Sequence, residues 1–565
     1  MNPRRFGLLF RVLAPAALLA VTVCSLGISR CFAVEPLRSQ IDRLIAFQTP
    51  DYDKLAAPIA SDEEFLRRIY LDLTGWTPTI AQAREFLDDA SPKKREKLVD
   101  RLLASPEHAR HMQRTFDTML MRRLPQKNVP VAEWEKFLRD SFAQNKPWDQ
   151  IVREILTNDG SDPANRGPAR FYLDRDGDVN QITKDIGKLF LGVNLDCAQC
   201  HHHPQIDDYR QDHYYGISAF FVRSFVMTDK EKRVVFAEKA DGEVTFESVF
   251  DIRDKISKGP KSSGMKLFEG LTISEPKFDK VDDAYVVKPD DKDKTIRPVP
   301  RFSRRVKFAE WVASSDNRRF CRTTANRLWN MFFGRGIVHP VDLDHSDNPP
   351  SHPLLLALLT EEIATRGLDL NSIIREIVLS QTYQRSSRRP ENAGAPAPRD
   401  EQFAVALLRP LTPAQFAWSM MQATGEADLH RVAQGDKLTE DSLHNALVVY
   451  EQRFAQLFGG EPGSPPTSFE STADQVLFLA NDPVMVSFLS QKAGNLTDRL
   501  AKLPVDNPQA LADELYLSVL TRKPTAEDSA DVQAYLADQT GDARVAAIRD
   551  LIWALLTSSE FRFNH

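Results

Sequence analysis

The chain has 565 residues, a formal charge of −6, 42% hydrophobic residues and only five cysteines. That length exceeds one ordinary core and predicts two or more domains. The acidic balance disfavours a general nucleic-acid binder, which leans on a basic surface for phosphates, and five cysteines are too few for a disulfide-stapled scaffold.

The chain opens with Arg4, Arg5 and Arg11 ahead of an apolar run from Val12 to Ile28, then a small residue at Ala33. This is the pattern of a secretory signal over residues 1–33, with cleavage after Ala33. The alternative is an uncleaved anchor, since the run approaches the length of a membrane span. With cleavage there is no membrane span, and an exported protein of the periplasm or cell envelope is expected. Losing residues 1–33 removes four arginines and no acid, which takes the formal charge to −10 and leaves Cys197, Cys200 and Cys321.

Residues 34–225 read as a helical domain. Ser91-Pro92 begins a capped helix through KKREKLVDRLLAS, with Leu98, Val99, Leu102 and Leu103 on one face. In QITKDIGKLFLGVNL, Ile182, Ile186, Leu189, Phe190 and Val193 form a second stripe. That helix leads straight into Cys197.

Residues 226–300 read as a β-rich insertion. RVVFAEKADGEVTFESVF predicts a hairpin turning at Asp241-Gly242, and AYVVKP predicts a further strand. Residues 301–565 return to helices. Thr412-Pro413 opens one that Gly425 closes, Asn507-Pro508 opens another, and VAAIRDLIWALLTSSEF is strongly apolar at helical spacing. RRPENAGAPAPRD reads as a linker or exposed loop. The expected fold is mainly α: two helical domains with a small β-rich insertion between them.

The chemistry concentrates in Cys197-Ala198-Gln199-Cys200-His201, a C-x-x-C-H sequence. Two thiols at this spacing reach the two vinyl groups of one porphyrin, and the next histidine supplies the proximal ligand to iron. Export favours this reading, because haem c is attached outside the cytoplasm. Two rival readings use the same residues. The thiols form a disulfide, or Cys197, Cys200, His201 and His203 hold zinc or another transition metal. Four ligands within seven residues strain a tetrahedron, which counts against zinc. His202 is expected to be a solvated surface histidine. A second axial ligand must come from outside residues 197–204; Met227 is preferred to His213, with His108 and His111 on an earlier helix also available.

Elsewhere, VDLDHSDNPPSHP gathers Asp342, Asp344, His345, Asp347, Asn348 and His352. The expectation is a polar loop whose aspartates cap a helix starting near Pro353, with metal binding or acid–base work as the alternative. Arg327 is expected to tie its helix to a neighbouring domain through buried acids, and Cys321 to be a small buried hydrophobe. There is no nucleotide-binding glycine loop, G-x-S-x-G elbow or H-E-x-x-H pair.

Several long stretches carry a resemblance. FLRRIYLDLTGWTPT (65–79), FLGVNLDCAQCHHHP (190–204) and DHYYGISAFF (212–221) occur in the first half. ANRLWNMFFGRGIVHPVD (325–342), NPPSHPLLLALL, SQTYQRSS and the final LIWALLTSSEFRFNH occur in the second. In these the chain resembles exported planctomycete proteins that pair a cytochrome-like domain with a planctomycete-specific C-terminal domain, both of unknown function. The resemblance implies an envelope protein with a haem-binding motif at Cys197, Cys200 and His201, serving electron transfer or redox support for an unknown envelope partner. A non-haem-metal enzyme or accessory of polysaccharide turnover, or an assembly module with a structural disulfide, stays open. After Pro204 the family's aromatic, acid and tryptophan give way to Gln205-Ile206-Asp207-Asp208-Tyr209, and His213 stands where an acid is usual.

Overall fold

The computed structural model describes residues 35–248, 259–268, 270, 272–389, 397–460 and 472–565. Residues 1–33, expected as a signal, lie outside these residues, as does most of 388–400, expected as a linker or exposed loop. The fold is mainly α, with 25 α-helices among the described residues, of which 57% are helical. The strands among the described residues form four two-stranded antiparallel sheets. No helix among the described residues is long and apolar enough to cross a membrane.

The helix starts follow local chemistry. Thr412 caps the Pro413–Thr424 helix in a reciprocal box with Gln415, and Gly425, at φ 83°, ends it. Asn507 caps Pro508–Leu520 by accepting from the backbone N–H of Ala510 at 3.1 Å. The Lys94–Leu103 helix buries Leu98, Val99 and Leu102 as its stripe predicts. It starts two residues late for a Ser91 cap, because Ser91 Oγ accepts from the Lys93 N–H instead.

The β insertion pairs differently from the expected hairpin. Val234–Glu238 turns back on Ser224–Thr228, and Val244–Phe246 pairs forward with Lys261–Ser263. Asp229 decides the partner. Its carboxylate accepts from both the backbone N–H and the Nε of Arg233, each at 2.8 Å, and so closes the turn before the 234–238 strand. Asp241-Gly242 therefore connects two sheets. Tyr285–Val287, within the predicted AYVVKP strand, pairs with Val299–Pro300.

The buried apolar side chains form two clusters, one drawn from Leu37 to Ala404 and the other from Phe416 to Phe561. Helices after residue 301 thus contribute to both. Segments far apart in the chain are locked together at Asp72, which is 4% exposed. Its carboxylate accepts from Arg409 Nη2 at 2.7 and 2.8 Å, the Tyr383 hydroxyl at 2.8 Å and Asn564 Nδ2 at 2.8 Å. Arg409-Pro410 pairs with Phe563-Asn564 as a short ladder over the same point.

Gly75 ends the Asp62–Thr74 helix at φ 81°. A Cβ there would stand 2.6 Å from His111 Nδ1. Gly75→Ala is therefore expected to cost roughly 1–3 kcal/mol from backbone strain alone, read as a lower urea midpoint at unchanged m-value.

Candidate functional site

The Val179–Leu191 helix delivers the motif. Asp178 starts it by accepting from the backbone N–H groups of Asn180 and Gln181, and Gly192, at φ 67°, stops it. Ile182, Ile186, Leu189 and Phe190 are all buried. Past Val193, which bridges to Leu343, Cys197–Gln199 make one 3-10 turn. The N–H groups of Cys200 and His201 both donate to Cys197 O, at 3.1 and 3.2 Å. Ala198 is fully buried while both cysteines are exposed and unjoined. The turn is thus anchored by its middle and presents both thiols outward.

The three histidines separate chemically. His201 Nδ1 lies 2.7 Å from His202 O. A carbonyl only accepts, so Nδ1 carries a proton, and Nε2 is the nitrogen that can bear a lone pair when the ring is neutral. His202 and His203 have the opposite tautomer. His202 Nδ1 accepts from the Gln211 N–H at 3.0 Å, and His203 Nδ1 accepts from the N–H groups of Gln205 and Ile206 at 3.2 and 3.0 Å. His203 N–H also donates to Tyr209 O at 2.9 Å. His202 is half-buried and holds the first turn of the Gln211–Ser218 helix, contrary to the solvated role expected for it. His203 holds the turn through residue 209.

Tyr215 braces the motif from that helix. Its hydroxyl donates to Gln199 O at 2.5 Å and its ring stacks on Phe246 at 3.8 Å. Tyr214 donates to Asn180 Oδ1 at 2.7 Å. Burial, chiefly, and the charge of Cys200 both push the Tyr215 hydroxyl up from its ordinary pKa, so it acts as a neutral donor.

The second half of the chain closes over the other side. Asp344 N–H donates to Gly192 O at 3.0 Å. Arg322 holds the Asp344 carboxylate through two bonds of 2.7 and 3.1 Å, and Arg319 joins Leu191 O to Asp344 O. Ser346 donates to Asp208, while the Tyr209 ring lies between those of His203 and His345. No aspartate caps the Pro353–Thr365 helix, whose N-cap residue is His352. Asp344 is engaged by arginine, and a charged bidentate partner outweighs a single backbone N–H.

Arg327 donates from Nη2 to Lys188 O at 2.5 Å, which joins its helix to the end of the motif-delivering one. Its main tie is thus a carbonyl. Burial pulls its pKa down to about 10, against the opposing charge of Asp342. Cys321 is fully buried, as expected of a small hydrophobe.

Among the described residues, no group of three or more His, Cys, Asp or Glu side chains is placed to hold a metal ion. Cys197, Cys200, His201 and His203 are accordingly not gathered as a tetrahedral set. Met227 stands opposite Val235 in a hairpin that packs on Arg170–Leu173 and Val299–Pro300, neither of which carries the motif. His213 lays its ring on Phe268. His108 bonds Leu73 O and Asn371 Oδ1, and His111 lies against Gly75.

Neither the pinning of Ala198 nor the Arg322–Asp344 clasp was legible as part of the site beforehand. The clasp had one signal, the position of both residues in or beside the ANRLWNMFFGRGIVHPVD stretch.

Comparison with known families matches residues 40–225 to PSCyt2, a protein of unknown function (DUF1549), and residues 304–536 to PSD1, a protein of unknown function (DUF1553). No curated protein and no solved structure matches the chain. In order along its length, the chain is similar to a PSCyt2 region followed by a PSD1 region.

Proposed function

We propose that the protein is exported to the cell envelope and carries one haem c, serving electron transfer or redox support for an envelope partner. Cys197 and Cys200 hold the porphyrin through thioethers, and His201 is the proximal ligand. The observation that carries this reading is the His201 ring: its Nδ1–H is committed to the His202 carbonyl, which leaves Nε2 as the nitrogen to ligate iron. A metal-bound histidine almost always donates its other ring N–H in this way. The two exposed, unjoined thiols on either side of a buried Ala198 suit attachment from solvent. When bound, the group supplies a one-electron couple; the chain supplies attachment, the oriented imidazole and the Tyr215 brace.

Protein purified from a host that matures c-type cytochromes is expected to keep a haem absorption band after denaturation and solvent extraction. Cys197→Ser/Cys200→Ser should lose it. Zinc by elemental analysis with no haem would favour the non-haem enzyme or accessory reading, and loss of both free thiols without any cofactor would favour the disulfide-stapled assembly module.

A further inference from the structure

A cleft of about 360 Å³ runs along the Val179–Leu191 helix beside the motif. Arg122, Lys184 and Lys188 line it together with Asp178, Asp185 and Asp196. Asp196 immediately precedes Cys197, so one end of the cleft meets the motif. Tyr214, whose charge environment includes Cys200, Asp178 and Asp196, bonds Asn180 on the cleft wall. From Lys188 to Asn180 the helix advances about 12 Å.

Formal charge in the cleft balances, but the acids are already engaged. Asp196 is paired with Lys188 at 2.5 Å. Asp185 is held by the buried Arg175 at 2.8 Å, with Arg122 at 3.7 Å. Asp178 is occupied by two backbone N–H groups at the helix start. Lys184, half-buried between them, makes no ion pair among the described residues. Arg175 and the helix N-terminus add positive potential from behind the lining. The cleft therefore favours an anion, and it ends at Asp196, the residue before Cys197.

We propose that this cleft seats the carboxylate edge of the haem, with Lys184 as the counter-charge to a propionate. The proposal rests on the haem reading above. A porphyrin joined to Cys197 and Cys200 by its vinyl groups carries its two propionates along another edge, and the cleft leads away from the thiols along a rigid helix. A cation beside a propionate keeps it ionised and favours the reduced form of the iron, because reduction adds an electron nearby.

The test uses mature holoprotein and three forms: wild type, Lys184→Gln and Lys184→Arg. Lys184 has no bond whose loss would unfold the chain, so all three should fold alike. Lys184→Gln is expected to lower the haem midpoint potential and to move its pH-dependent step to higher pH, with covalent haem content unchanged. Lys184→Arg should restore both. Unchanged potential and pH dependence in Lys184→Gln would overturn the cleft assignment while leaving the haem intact. An equal shift in Lys184→Arg would also overturn it, by making the effect one of shape and not of charge. Absence of covalent haem from the wild type would overturn the haem reading itself, and this proposal with it.

Discussion

Asp72→Ala is expected to lower folding stability by about 3–5 kcal/mol, the scale for removing one partner from a buried ion pair. The carboxylate joins Arg409, Tyr383 and Asn564, which come from three segments more than 300 residues further along the chain. Without it, Arg409 keeps only its bond to Met331 O, and two buried neutral donors lose their acceptor. Chemical denaturation should show a lower midpoint, and limited proteolysis should release the 409–410 and 563–564 pairing before the rest unfolds. Asp72→Asn keeps the shape and one acceptor oxygen, so it should fall between wild type and alanine. Equal stability of all three would remove the clasp from the account.

Acid should weaken the fold from the point at which an ordinary histidine begins to take up a proton. Burial pulls the His111 ring down to about 3 and the His352 ring down to about 4. Burial, and then the charge of Arg114, pulls His444, stacked on Trp418, down to about 3. In the unfolded chain a histidine titrates near about 6.5. Between that value and the depressed ones, the unfolded chain binds protons that the fold refuses. Stability is therefore greatest above the unfolded value, falls as pH drops through the window, and stops falling near the folded values. Each pH unit across which a ring stays neutral in the fold and charged in the unfolded chain is worth roughly 1.4 kcal/mol. The three sites together therefore imply a loss of several kcal/mol by about pH 4.5. Asp117, Glu135 and Glu238, whose carboxyls burial pushes up, act in the opposite sense. The comparison with His111→Gln/His352→Gln isolates the share of those two rings. Urea titrations across this window should show a steeper decline for the wild type than for the double variant. Parallel slopes would contradict the burial of these rings as neutral groups.

The parts legible in the sequence are those decided within a few residues. Thr412-Pro413 with Gly425, and Asn507-Pro508, specify helix ends through caps three residues away. The apolar stripe of residues 182–190 specifies which face is buried. Partner choice was not legible. The 234–238 strand has acceptable neighbours on either side, and the Asp229–Arg233 bond selects the earlier one. At the site, spacing alone pointed to Cys197, Cys200 and His201. The division of labour among His201, His202 and His203 depends on which backbone group each Nδ1 meets, including a Gln211 N–H 9 residues beyond His202. Likewise, the aspartates near residue 344 favour a helix cap by type, until Arg322 is brought into bidentate reach.

Attachment of haem to the motif is tested most directly by the mass of the motif peptide. Wild-type protein from a haem-attaching host should be denatured, digested and analysed for the peptide that contains Cys197 to His201. The account predicts that this peptide carries the mass of one haem, bonded at both Cys197 and Cys200. An unmodified peptide from the same host, with both thiols alkylatable or joined only to each other, would contradict it.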